Sequence, residues 1–243
     1  MRRFARITAA FIGVFTFVAP LGMASQAKTS DVPAFKQKLD KHIEHFETAG
    51  RTLVASVLDL AYQYELPIGI ERLDREALTR PIDLRFQNES ARGILIAIIQ
   101  QIPEYQVAFS DGLVDIFVPR EREDPSNLLN RVIKNFNVMN QDAGAANAEL
   151  ACALAQEIDP SRVCVSSIAK GQLGKQKTKL HMQNARVYEI VNAIVAQKGN
   201  AAWTVIVPSS RLTATDSSDL WHIYPLQSPF KETVLDKLSS LKS

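Results

Sequence analysis

Residues 86–101 (FQNESARGILIAIIQQ) and residues 182–197 (MQNARVYEIVNAIVAQ) align at a constant offset of 96, with Gln, Asn, Ile, Ala, Ile and Gln recurring at matched positions. An internal repeat constrains a fold more than local propensity does, because each copy has to form the same supersecondary unit. In the first copy Ile82, Leu84 and Phe86 alternate with polar residues, as in a half-buried strand. Ser90 stands as N-cap to a helix whose apolar stripe is Ile94, Leu95, Ile98, Ile99 and Ile102, and Pro103 stops it. Residues 105–109 and 113–118 alternate on either side of Asp111-Gly112, a strong hairpin signal. The second copy keeps this order. Residues 180–182 read as a strand, and Val187, Ile190, Val191, Ile194 and Val195 as the stripe. Gly199-Asn200 is the helix stop, and residues 203–207 and 220–224 are the closing strands.

Each copy has an earlier half. Thr52 caps a helix over residues 53–64 with Leu53, Val57, Leu60 and Ala61 facing inward, and residues 68–70 follow as a strand. The corresponding helix begins near Ala145, runs through Leu150, Leu154 and Ile158, and is followed by a strand at 163–165. Residues 45–48 and 135–138 are the opening strands. The expected fold is α+β: two tandem small units, each strand-helix-strand-strand-helix-strand-strand, with a mixed sheet covered by helices on one face. The units span 45–119 and, more divergent, 135–227. A helix or linker at 28–44 precedes them, and a C-terminal helix at 228–243 follows, opened by Ser228-Pro229. Residues 120–134 carry charges of both signs and Pro125, the composition of a solvated linker.

The first residues have the three parts of a cleavable export signal. Arg2, Arg3 and Arg6 form a basic region, residues 7–21 an uncharged apolar run, and Ala27 closes a cleavage site, with Ala24 as a second candidate. The run is shorter than the ~20 residues of a spanning helix, so no stable membrane span is expected after cleavage. Removal of residues 1–27 lowers Lys+Arg from 28 to 25 against 26 Asp+Glu, a formal charge of −1. That balance argues against a large nucleic-acid footprint. Cys152 and Cys164 make an even count in an exported chain, which favours a disulfide over two buried thiols.

The series TLVASVLDLA at 52–61, LPIGI at 66–70, IDLRFQN at 82–88, the Ile-rich helix and the hairpin resembles the secretin and TonB-receptor N-terminal short domain. The similarity covers 45–119 well and 135–226 more loosely. It implies a periplasmic module that contacts other envelope proteins. The chain departs from the family's usual setting in having two such units and no channel or barrel segment after them.

No residue pattern announces catalysis, a cofactor or a metal. His42 and His45 stand three apart on an expected helix without a third ligand, and His181 and His222 fall on strands of the second unit. Nucleophile-elbow, phosphate-loop, dinucleotide and zincin motifs are missing. Glu71 and Asp74 read as surface charges. Trp203, Trp221 and Tyr224 suit core or cross-strand packing better than an aromatic ligand face. The sequence therefore points to a non-enzymatic interaction protein, exported or periplasmic, that binds an envelope protein through a sheet edge or helix face. The candidate edge residues are Tyr105, Val107, Phe109, Ile116, Trp203, Val205, Trp221 and Tyr224. A hydrolase or carbohydrate-active protein and a structural, self-assembling envelope component are the alternatives. The oligomeric state is open.

Overall fold

The computed structural model describes residues 32–73, 75–110, 112–161, 163, 177–205 and 221–226. The expected signal segment with Ala27, the strand containing Cys164, and the C-terminal helix lie outside the described residues. So do the side chains of His222 and Tyr224. The chain is α+β. Its helices are α1 (Val32–Asp40), α2 (Leu53–Tyr64), α3 (Arg75–Thr79), α4 (Ala91–Ile99), α5 (Pro119–Glu123), α6 (Ala143–Ile158) and α7 (Val187–Lys198). The first strands are β1 (His42–Glu47), β2 (Arg51–Thr52), β3 (Ile68–Ile70), β4 (Pro81–Ile82), β5 (Arg85–Ser90), β6 (Gln106–Ser110) and β7 (Leu113–Phe117). The remainder are β8 (Val132–Asp142), β9 (Lys177–Arg186), β10 (Ala201–Val205) and β11 (Trp221–Pro225). No helix among the described residues is long and apolar enough to cross a membrane.

The strand-to-helix junctions into α2, α4, α6 and α7 use one local device. Gly50, Asn88, Asn140 and Asn184 adopt φ of 71°, 49°, 60° and 50°. Each stands two residues before a helix N-cap: Thr52, Ser90, Asp142 and Arg186. Gly and Asn enter the left-handed region at least cost, so these are the residue types a sharp bend out of a strand demands. The caps then take up free helix N–H groups. Ser90 Oγ accepts from Gly93 N at 3.0 Å, and Asp142 Oδ1 from Ala145 N at 2.9 Å. At Arg186 the polarity is inverted, with Glu189 accepting from the Arg186 backbone N–H at 2.7 Å.

The strands before the two junctions of each half pair with one another. β1 and β5 form one antiparallel ribbon and β8 and β9 another, with Phe46 opposite Phe86 in the first and Phe136 opposite Met182 in the second. Asn140 sits at the register shift of β8, where the extra residue turns the strand toward α6.

The helices do not cover one face of a sheet. Two of them, α4 and α7, lie between a ribbon on one side and a five-stranded sheet on the other: α4 packs on β5 and β6, and α7 on β9, β10, β3 and β7. Residues 53–61 of α2 are all buried instead of presenting the expected stripe, with α3, α4 and the short β2–β4 pair packed against the helix. Nor does each half keep its own sheet. The strand order is β11-β10-β3-β7-β6, and a parallel seam pairs Ile68, Gly69 and Ile70 with Ala202, Trp203 and Thr204. The cores interpenetrate accordingly, with Leu113 of β7 in the second cluster and Ala202 and Leu226 in the first.

Replacing Asn184 with Val places a β-branched side chain at φ 50° and should lower stability by about 1–2 kcal/mol in urea unfolding, whereas Asn184→Gly should be near neutral.

Candidate functional site

The polar centre of the molecule lies beside the seam. It begins with the stretch expected to be a linker. Residues 119–131 are folded: α5 is followed by a single 3-10 turn over Leu128–Asn130, capped by Asn127, whose Oδ1 accepts from Leu129 N at 3.0 Å. Asn127 and Asn130 both donate their side-chain amides to Glu121 O, at 3.1 and 2.7 Å. This segment aims Arg122 inward. Its Nε and Nη2 donate to the two oxygens of Glu71 at 3.0 and 2.6 Å, and Nη2 also donates to Asp115 Oδ2. The guanidinium stacks on Phe117, 3.5 Å from the ring centroid, and on Tyr188 of α7 at 4.6 Å.

The network continues into the second half. Asn192 of α7 donates from Nδ2 to Asp115 Oδ2 at 2.9 Å and accepts at Oδ1 from Trp203 Nε1 at 2.7 Å. A Cβ on Gly69 would lie 2.3 Å from that indole nitrogen and 2.9 Å from Asn192 Oδ1, so the close approach of β3 and β10 requires glycine. Five side chains from β7, β10, α7 and the segments after β3 and in α5 are thus tied together across the seam.

Glu71 and Asp115 are almost completely buried, contrary to the reading of Glu71 as a surface charge. Two carboxylates face one guanidinium, so full ionisation leaves an excess negative charge in a poorly solvated place. Burial pushes Glu71 up to about 7 against the pull of Arg122, and the neighbouring Asp115 charge adds to the rise. Burial also raises Asp115, with Arg122 and Asn192 opposing. For Arg122, burial alone would lower its pKa, but Glu71 and Asp115 hold it above its ordinary value. Perturbed carboxylate pairs in clefts are acid–base candidates. Here the two carboxyl groups also hydrogen-bond to each other, the guanidinium binds both, and two aromatic rings cover it, so the arrangement serves as a clamp.

The sequence-predicted residues are dispersed. Val107 and Phe109 lie half-buried on β6, which is a terminal strand of the five-stranded sheet. Arg92 stacks over the Phe109 ring at 4.6 Å. Tyr105 is buried just before β6, its hydroxyl donating to Arg72 O at 3.2 Å. Ile116, Trp203 and Val205 lie on inner strands and are buried, so none can be an edge residue. Tyr224 is on β11, the other terminal strand among the described residues. Trp221 of that strand is buried, its indole donating to Asn147 Oδ1 of α6 at 2.6 Å. The two tryptophans are core residues.

His42 and His45 stand on β1, not on a helix, and His42 Nδ1 contacts Asn88 O at 3.0 Å. His181 belongs to the β8–β9 ribbon and His222 to the five-stranded sheet, so the two do not meet across one sheet. Among the described residues no group of three His, Cys, Asp or Glu could hold a metal ion. Cys152 is half-buried on α6, and no described cysteine is free.

Removing Arg122 strands two buried carboxylates. Arg122→Ala should cost about 3–5 kcal/mol, and Arg122→Lys should recover little because one ammonium cannot replace the fork. Chemical denaturation followed by tryptophan fluorescence reads both variants. The pH dependence has a definite sign. Between about 4.5 and about 7 the unfolded chain has released the Glu71 proton while the folded chain keeps it. The folded state then binds more protons, so stability from this group falls as pH rises through that window and levels off above it. The midpoint of urea unfolding should therefore decline from pH 5 to pH 7.5, and Glu71→Gln should flatten that decline.

Comparison with known proteins returns no matching family model, no matching curated protein and no matching solved structure.

Proposed function

We propose that this chain is an exported, non-enzymatic interaction protein of the bacterial envelope, built from two fused units of the secretin and TonB short-domain type. It captures a partner protein by strand addition at β6. The observation that carries the reading is the position of β6. Its inner side pairs with β7 from Gln106 opposite Phe117 to Ser110 opposite Leu113, and among the described residues no strand pairs with its outer side. An edge of this kind offers a row of backbone donors and acceptors to an extended segment, and it needs no distinctive side chains. Gln106 and Ser110 at its ends are exposed, while Val107 and Phe109 anchor it to the first core.

The duplicated register of the ribbons and the repeated strand-to-helix junctions support the two-unit description. The shared sheet and the Arg122 clamp favour one rigid body over two beads on a linker, which lowers the ordering cost when a partner docks. In an oxidising compartment Cys152 pairs with Cys164 and ties α6 to the segment after it.

A photo-activatable residue at Gln106 or Ser110 should yield a discrete adduct with one envelope protein, and the same residue at Gln63 on α2 should not. Adducts from every position, or from none, would remove the strand-addition reading. For the cysteines, alkylation of the purified mature protein should label neither thiol before reduction and both afterwards. Labelling without reductant would exclude the bridge.

A further inference from the structure

We propose that the outer face of the β8–β9 ribbon is a binding site for a linear anionic polysaccharide of the polyuronate type. The face is built by strand alternation. Thr178, Leu180 and Met182 turn toward the helices, and Lys177, Lys179, His181 and Gln183 turn outward to solvent. On β8, Asn135, Asn137 and Met139 stand opposite Gln183, His181 and Lys179. The centre of the face is thus a ladder of amides and an imidazole, groups that both donate to and accept from sugar hydroxyls.

Cations surround that ladder. Arg131 and Lys134 are exposed at one end, Lys177 and Lys179 at the other, and none of the four makes an ion pair with a described residue. Elsewhere on the surface the pattern differs: Lys38 pairs with Glu65, Arg92 with Asp40, and Arg120 with Glu104. The ribbon's acid, Asp142, is engaged as the cap of α6. Nor does the fold require this charge. At the matching place in the first half, β1 and β5 carry Glu44, Glu47 and Glu89 against Arg85, which pairs with Glu47.

Shape selects the class of ligand. Ten residues of strand are about 33 Å long and two strands about 10 Å wide, so the face offers roughly 330 Å². A stable protein partner takes about 800 Å² on each side. A narrow strip of this size suits a single polymer chain. Single-stranded nucleic acid would need rings to stack on, and the aromatic residue of β8, Phe136, is buried. Pairing at the β9 edge is partly blocked, because the Gln197 side chain bonds both Lys179 N and Lys179 O, at 3.0 and 2.8 Å. The face, not the edge, is the open surface.

The test is retention of the full mature chain on immobilised polygalacturonate, with dextran and oligothymidylate as parallel supports and thermal unfolding as the folding control. Polygalacturonate should retain the protein at about 50 mM salt, with affinity falling steeply as salt is added. Dextran should not retain it, and oligothymidylate should bind less well. The triple change Lys134→Ser, Lys177→Ser, Lys179→Ser should weaken retention about tenfold. Asn137→Ala with Gln183→Ala should weaken it several-fold without altering the salt slope. Absence of retention, equal binding to oligothymidylate, or indifference to both sets of substitutions would overturn the proposal. β6 lies in a different sheet, so loss of its photo-adducts and loss of glycan retention are separate results.

Discussion

The bidentate pairing of Arg122 with Glu71, extended to Asp115, is the interaction on which the architecture turns. It joins a helix between the halves to strands of the first half, and Asn192 and Trp203 carry the same network into the second. Charges are expensive to bury, and this group compensates with a geometric match and with aromatic covers. The parallel seam beside it is only three residues long. Backbone pairing over so short a length is a weak fastening. The clamp, the glycine contact of Trp203 and the exchange of Leu113 and Ala202 between cores give the junction its definition.

Much of the secondary structure was legible because the signals were local. Thr52 and Ser90 read as caps and act as caps. The helical stripes of α4 and α7 are buried at the positions that periodicity marked, from Ile94 to Ile99 and from Ile190 to Val195. β6 and β7 do pair as the expected hairpin, with Gly112 at φ 85°. A nearest-neighbour pattern determines each of these features, so a linear reading reaches them.

The clamp escaped that reading for a physical reason. Residues 120–124 look solvated because cations and anions alternate, and the groups that hold Arg122 are 51 and 7 positions away. One signal was present. Asp115 interrupts an apolar run in LVDIF, and in a strand buried on both faces a lone carboxylate has to have a cation. The second miss was the layer order. Period-two and period-3.6 patterns say which face is apolar, but not how many sheets a helix touches. The nine consecutive buried residues of α2 show the same limit, since α3, α4 and the β2–β4 pair pack against a helix whose periodicity marked one stripe. The spacing of Gly50, Asn88, Asn140 and Asn184 two residues ahead of the caps was also visible in the sequence.

The seam between β3 and β10 also has a consequence in time. Its partners are far apart in the chain, 134 positions from Ile68 to Ala202. When synthesis or translocation delivers the chain from its N-terminus, the first half can assemble its helices and its hairpin while β3 still presents an open parallel edge. That edge is satisfied only after some two hundred residues have emerged. Closing so long a loop adds little to the equilibrium cost, since each doubling of length costs about 0.6 kcal/mol, but it delays the contact. During that interval the nascent molecule carries a sticky apolar strand, Ile68-Gly69-Ile70, open to any neighbour of similar character. The arrangement that makes the finished protein one body makes its half-made form the stage at which a chaperone has most to protect.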